Sequence, residues 1–120
     1  MYLNIEFFTL PDGSVPALET IRSISDVKLK AKVFRSLKLL ESFGNQLGEP
    51  DIKHLRNGIF ELRTRQGSNI FRNLFFFYNG RIIAVTNGFI KKTQKTPEKE
   101  IILAERRRSE YEAEDNKEHT

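Results

Sequence analysis

Arginines and lysines recur between Leu55 and Pro97 at positions where a strand would ordinarily carry valine or threonine. Arg63 and Arg65 stand in Gly58-Ile-Phe-Glu-Leu-Arg-Thr-Arg-Gln-Gly67, Arg72 follows Phe71, and Lys91 and Lys92 follow Asn87-Gly-Phe-Ile. A guanidinium stays charged and presents a planar fork that matches two phosphate oxygens. A pair of them can hold a phosphodiester and stabilise the charge it gains on becoming pentacoordinate. Two arginines opposite one another on a sheet otherwise repel, by a few tenths of a kcal/mol up to about 1 kcal/mol. The competing reading of the same spacing is a structural ion-pair network, in which Glu61, with Glu49 or Asp51, neutralises the arginines.

Turn chemistry predicts how the strands align these cations. Asn79-Gly80 between two apolar runs signals a two-residue hairpin, which would set Phe76 opposite Ile83 and Arg72 opposite Asn87. A second two-residue turn at Gly67-Ser68 would set Arg63 opposite Arg72 and Arg65 opposite Ile70. Arg63, Arg72 and Asn87 would then form one row across three strands, with Glu61 and Arg65 on the same face of the first. Phe75-Phe76-Phe77 alternate faces of one strand, the pattern of a central strand covered on both sides, although one ring could instead be left for base stacking.

The remaining elements form the scaffold. Residues 2–8 read as an opening strand and Pro11-Asp-Gly13 as a turn. A short helix is expected over Ala17–Ile24. Ser25 or Asp26 caps a longer one to about Phe43, with Leu29, Val33, Leu37 and Leu40 on one face and Gly44 after its end. Thr96, Pro97 and Glu98 form a helix start, launching a helix through about Tyr111 that packs Ile101, Ile102 and Ala104 on the sheet and points Arg106-Arg-Arg108 largely outward. The order is that of an α+β fold: an N-terminal strand and helical hairpin on a small, mainly antiparallel sheet, with a C-terminal helix. Residues 1–113 are expected to form a single domain and residues 114–120 a disordered polar tail.

Composition narrows the chemistry. The 120 residues are enough for one modest core. With no cysteine and two histidines, neither a disulfide framework nor a thiolate or imidazole metal site is expected. No apolar stretch approaches the ~18 residues of a membrane span, and Met1-Tyr-Leu-Asn-Ile-Glu has no basic leader, so a soluble cytoplasmic protein is expected. Residues 1–50 carry six basic and six acidic side chains, residues 51–108 thirteen basic and five acidic, and residues 109–120 one basic and five acidic. The middle segment, with its surplus of eight, is therefore an expected anion-binding surface, against the alternative that its lysines and arginines only solubilise the domain. Lys53, Arg56, Lys95, Arg106 and Arg107 are candidate cations of that surface, the last two being alternatively partners for Glu110, Glu112 or an acidic protein; RNA is the anion that the family resemblance below implies for them.

The same residues resemble a known family. Gly-Ile-Phe-Glu-Leu-Arg-Thr-Arg, Phe71-Arg72 and Gly-Phe-Ile-Lys-Lys-Thr-Gln-Lys-Thr-Pro, together with the opening strand, Gly13–Pro16 and Leu-Leu-Glu-Ser-Phe-Gly44, resemble the RelE/HigB-type toxins in their phage-derived branch. The resemblance spans roughly residues 3–111 and implies a RelE-like fold. It implies the toxin of a type II toxin–antitoxin pair: a ribosome-dependent endoribonuclease that cuts messenger RNA in the A site. Arg63, Arg65, Arg72, Lys91 and Lys92 match the family's catalytic positions, which bind the RNA backbone and stabilise attack of a ribose 2′-hydroxyl on the adjacent phosphate. The implied products are a 2′,3′-cyclic phosphate and a 5′-hydroxyl. No cofactor or metal is implied. The implied partners are a helix-turn-helix antitoxin, the ribosome and its mRNA, with operator DNA reached only through the antitoxin, and no membrane.

Two positions depart from the family pattern. Asn87 stands where many relatives carry histidine, and Phe71 where many carry tyrosine, so each lacks a group that exchanges protons. Lys91, Lys92, Tyr78 and His54 are the substitutes available for acid–base work, worth about 10²- to 10⁴-fold in rate. His54, beside Leu55, is alternatively a surface or packing residue. A RelE-like protein that binds an antitoxin or RNA without cutting it is the competing functional reading.

Overall fold

A computed structural model describes residues 3–48, 51–90 and 95–118. Five strands and three helices follow in the order β1 (Asn4–Phe7), α1 (Pro16–Arg22), α2 (Val27–Phe43), β2 (Ile52–Arg56), β3 (Ile59–Gln66), β4 (Asn69–Tyr78), β5 (Ile82–Ile90) and α3 (Glu98–Glu118), with a short 3₁₀ turn at Gly44–Gln46. The strands form one sheet in the order β1-β5-β4-β3-β2. β1 runs parallel to β5 and every other pairing is antiparallel, which is the α+β arrangement the sequence predicts.

Helix α2 forms where its apolar spacing requires. The Asp26 carboxylate accepts the backbone N–H groups of Lys28 and Leu29 at 2.9 and 3.2 Å, satisfying donors that the first turn cannot. Leu29, Val33, Leu37 and Leu40 are buried along one stripe. Truncating any one of the three leucines to alanine would cost about 2–5 kcal/mol. Gly44 ends the helix at φ 57°, and a Cβ there would lie 2.6 Å from Leu3 Cδ1, so its identity is fixed by both conformation and space.

Helices α1 and α2 cover one face of the sheet, over Leu62, Phe71, Phe75, Ile83 and Val85. The C-terminal helix α3 covers the other, over Ile59, Leu74, Phe76 and Ala84. Strand β4 is thus buried on both sides, and the aromatic triplet belongs to the core, with Phe75 and Phe76 wholly inaccessible.

The hairpin registers divide the expectations. The Gly67-Ser68 turn pairs Gln66 with Asn69, Arg65 with Ile70 and Arg63 with Arg72, as predicted. At the next hairpin Asn79 and Gly80 take positive φ and Arg81 N–H reaches Tyr78 O, but Arg81 stays out of the ladder, so Phe76 faces Ala84 and not Ile83. A second irregularity lies between Leu74 and Phe75, where Thr86 is the extra residue on β5. Arg72 consequently faces Phe89, and Asn87 faces Leu74.

Strand β2 is an addition to the expected elements; it joins β3 through Asn57-Gly58, both at positive φ. Helix α1 is shorter than expected, ending at Arg22. Helix α3 runs past Tyr111 to Glu118, into the segment expected to be a disordered tail. The Tyr78 hydroxyl donates to Asp115 and Tyr111 to Glu6 at 2.8 Å, which holds those last turns against the sheet. Of the apolar residues expected beneath α3, Ile101 and Ala104 are buried but Ile102 is 52% exposed.

Candidate nucleic-acid interface

On the α3 face, the ends of β3 and β4 bring Arg63 and Arg72 side by side, and one carboxylate joins them. Glu61 accepts from Arg63 Nε at 2.7 Å and from Arg72 Nη1 at 3.1 and 3.2 Å through its two oxygens. The Thr96 hydroxyl, just before α3, donates to the same carboxylate. Glu61 and Arg72 are fully buried, and the Arg63 side chain is 10% exposed. Burial pushes the Glu61 carboxyl up, but hydrogen bonds from Thr96 and Arg63 and the charge of Arg72 outweigh it and hold the group below its ordinary value.

This geometry settles the role of Glu61 and constrains that of Arg72. Glu61 neutralises one of two arginines, so the cluster keeps a surplus positive charge, most of it reaching solvent through Arg63. Arg72, expected to clamp a phosphate directly, sits behind Glu61 with no exposed surface. Its direct contact with RNA is excluded in this conformation, because a phosphate would first have to displace the carboxylate. The hydroxyl of Thr96, expected as a helix cap, instead ties the start of α3 to the cluster.

The other assigned cations separate into exposed and engaged groups. Arg65 and Lys53 are exposed, Lys53 directly across from Glu61 on β2, and Lys95 is exposed beside Thr96. Arg56 instead joins Glu98 and Glu105, the latter at 2.8 Å, and fastens α3 to β2. Those hydrogen bonds, Glu105's first, raise the Arg56 pKa, and the same contact lowers that of Glu105.

Of the arginine triplet expected outside, only Arg106 is exposed. Arg107 turns inward, donating to Thr86 O at 2.8 Å with its guanidinium 5.5 Å from the Phe8 ring centre. Burial, with the Arg106 charge, lowers its pKa. Arg108 donates to Asn57 O at 2.8 Å and stacks over Phe76. Both arginines lie over aromatic rings, Phe76 on β4 and Phe8 just after β1, which is why they do not project. Lys91 and Lys92 lie outside the described residues.

Neither Tyr78 nor His54, the expected acid–base substitutes among the described residues, reaches the arginines. Tyr78 is six residues from Arg72 along β4, about 20 Å at ~3.4 Å per residue. Its hydrogen bond to Asp115, helped by burial, pushes the phenol up to about 12, too high to exchange protons efficiently near neutrality. His54 shares the α2 face with Ile52; its ring lies 4.9 Å from Phe60 and its Nε2 accepts the Gly58 N–H at 3.2 Å.

The two departures from the family pattern also resolve. Phe71 is buried in the α2-side core, facing away from Arg72, so a phenol at that position would not stand beside the arginines. Asn87 is buried at the root of α3, donating to Glu100 Oε1 at 3.0 Å and to Glu100 O at 3.3 Å. Its amide fixes the helix on the same face as the cluster, with Leu74 between it and Glu61 in one cross-strand row.

Residues 20–109 match the family described as Phage derived protein Gp49-like (DUF891). The chain belongs to that family. The Gp49-like family is a RelE-like family of toxins from toxin–antitoxin systems, and the matched segment contains Glu61, Arg63, Arg65, Arg72 and Thr96. No curated protein matches the chain at a significant level. Among the described residues, no helix of this Gp49-like protein is long and apolar enough to cross a membrane.

Proposed function

We propose that this Gp49-like protein is the toxin of a toxin–antitoxin pair and cuts messenger RNA in the ribosomal A site. The observation that carries the reading is the oriented guanidinium of Arg63, held through Nε by a buried carboxylate and flanked by exposed Arg65 and Lys53. A cation whose orientation is fixed before substrate arrives needs little reorganisation as the phosphate gains charge. In the proposed reaction a ribose 2′-oxygen attacks the adjacent phosphorus and the bond to the 5′-oxygen breaks. The proton leaves the 2′-hydroxyl for a base, and another reaches the departing 5′-oxygen. Arg63 and Arg65 contact the phosphate. Arg72 positions Glu61, which positions Arg63. Lys91 and Lys92 are assigned the proton transfers and further phosphate contact, and Lys53, Lys95 and Arg106 the flanking backbone.

An antitoxin carrying a helix-turn-helix is the proposed partner, with operator DNA bound only through it. Induction of the chain alone should arrest growth and translation, and mapping of mRNA 5′ ends should reveal new cuts in translated frames. Arg63→Ala should lower single-turnover cleavage on programmed ribosomes by roughly 10²-fold or more. The complete burial of Arg72 favours a second reading, in which the cluster is purely structural and the chain binds RNA or an antitoxin without cutting. Soluble protein that causes neither arrest nor new 5′ ends would establish that second reading.

A further inference from the structure

On the opposite face of the sheet, a cavity of about 280 Å³ opens between α2 and the end of β3, lined by Lys32, Arg35, Ser36, Asp51, Arg63, Thr64 and Arg65. Lys32 and Arg35 bring cationic side chains to it from α2 and Asp51 an acidic one, while Arg63 and Arg65, whose side chains share the other face with Glu61, border it at the strand end. Among the described residues, no carboxylate forms an ion pair with Lys32, Arg35 or Arg65. Lys32 and Arg35 are one helical turn apart, so their side chains neighbour each other on the surface. Lys32 Nζ already spans the opening, reaching Arg65 O at 3.5 Å.

The second observation concerns Thr64. It is 4% exposed, it lines this cavity, and its hydroxyl is buried without a hydrogen-bond partner. A buried hydroxyl left unpaired costs about 1–3 kcal/mol, a cost that a bound acceptor removes. A basic cleft with an unpaired hydroxyl in its wall calls for an oxyanion.

We propose that this cavity is a second phosphate site, which takes a phosphodiester of an RNA backbone between Lys32, Arg35 and the Thr64 hydroxyl. Continuity argues for RNA over a free anion. Arg63 and Arg65 line this cavity and also border the Glu61 cluster on the other face, so one strand can run around the end of β3 from one cation group to the next, as backbone-tracking grooves do. The inference rests on the RNA-handling part of the proposed function and does not require cleavage.

The test uses a fluorescent single-stranded RNA with every 2′-hydroxyl methylated, so that binding is measured without cleavage. Lys32→Ala/Arg35→Ala should flatten the slope of log affinity against log salt by about 0.7, the value for one phosphate that is no longer neutralised. The charge-matched control Lys28→Ala/Lys38→Ala, on exposed positions of the same helix outside the cavity, should change it far less. Thr64→Val should weaken RNA binding severalfold while leaving the melting temperature unchanged or raised, because it removes an unpaired hydroxyl. Inorganic phosphate alone should shift the Thr64 and Arg65 amide resonances, and the RNA should displace it.

Equal slopes for the two double variants, or a Thr64→Val protein with wild-type affinity, would overturn the proposal. Phosphate binding at these amides with no competition by RNA would overturn its RNA assignment. Cleavage on ribosomes is scored separately. Its absence, with the salt-slope difference intact, would sink the nuclease reading and leave this site standing.

Discussion

Replacing Glu61 with glutamine removes one charge and almost no volume from the centre of the α3 face. Glu61 receives hydrogen bonds from Arg63, Arg72 and Thr96, and both it and Arg72 are fully buried. Arg63 is 10% exposed and can turn its charge to water, but Arg72 cannot. Breaking a buried ion pair from one side costs about 3–5 kcal/mol, because the remaining charge is left uncompensated. The amide also offers donors to a site already filled with donors. Partial relief through Arg63 puts Glu61→Gln near the lower end, about 3 kcal/mol out of a total of roughly 5–15 kcal/mol.

Urea unfolding at pH 7 is the assay, and at an m-value of ~1.5 kcal/mol/M the midpoint should fall by about 2 M. The double variant Glu61→Gln/Arg72→Met removes the stranded charge and should recover at least ~1 kcal/mol relative to Glu61→Gln, since apolar replacement of a whole buried pair is often neutral or better. A loss below ~1 kcal/mol for Glu61→Gln would refute the reasoning. So would a double variant as unstable as the two single losses added together. Either result would mean that Arg72 is solvated and open to phosphate, as the sequence alone allows.

The lowered pKa of Glu61 means that its stabilisation is fully present above its unfolded value of ~4.3 and is lost as pH falls through the lower folded value. Urea midpoints should therefore drop below about pH 4.3 in the wild type, and by less in Glu61→Gln. Tyr78→Phe should cost about 1 kcal/mol or less in thermal or urea unfolding, through its partly buried hydrogen bond to Asp115, and leave growth arrest intact. Spectrophotometric titration should find that phenol ionising near 12. Arg107→Ala should cost about 1–2 kcal/mol, from the Thr86 carbonyl contact and the stacking on Phe8, with little change in RNA affinity. Arg106→Ala should do the reverse, leaving stability unchanged and flattening the RNA salt slope by about 0.7.

Much of the architecture is local and could be read from the residues that encode it. Asp26 and Gly44 delimit α2, Gly67-Ser68 sets the Arg63–Arg72 register, and the doubly apolar β4 announces a central strand. What the sequence hid depends on single-residue insertions and on length. The extra residues Arg81 and Thr86 cannot be told from ladder residues by type, yet together they move Asn87 away from Arg72. Strand β2 was signalled by Asn57-Gly58, but Lys53-His54-Leu55-Arg56 lacks the alternation of a half-buried strand.

At the site, the spacing placed Glu61 beside the arginines and left its role open. Only burial shows that it has enclosed Arg72 and left Arg63 at the surface. The pairing of Thr96 with Glu61 spans 35 residues and leaves no local signature. The α2 contribution to the second cavity is equally silent, because Lys32 and Arg35 read as an ordinary solvated helix face.

The parallel pairing of β1 with β5 governs when the fold can close. Asn4 aligns with Ile82 and Phe7 with Val85, so the first strand made must wait for nearly the last one before it has a ladder to join. The hairpins of β3, β4 and β5 close through turns of two or three residues and can form early, whereas docking β1 closes a loop of some eighty residues. That late step also covers α2, since the Ile5 N–H bonds Glu41 and Leu3, Ile5 and Phe7 pack on the helix core. A nascent chain that has not yet emerged through Ile90 therefore carries an incomplete sheet and an uncovered helix. Chains stalled at residue 80 should be protease-sensitive within α2, and chains released at full length resistant. Synthesis itself thus delays the appearance of the finished cationic surface until β5 has been made and β1 can join it.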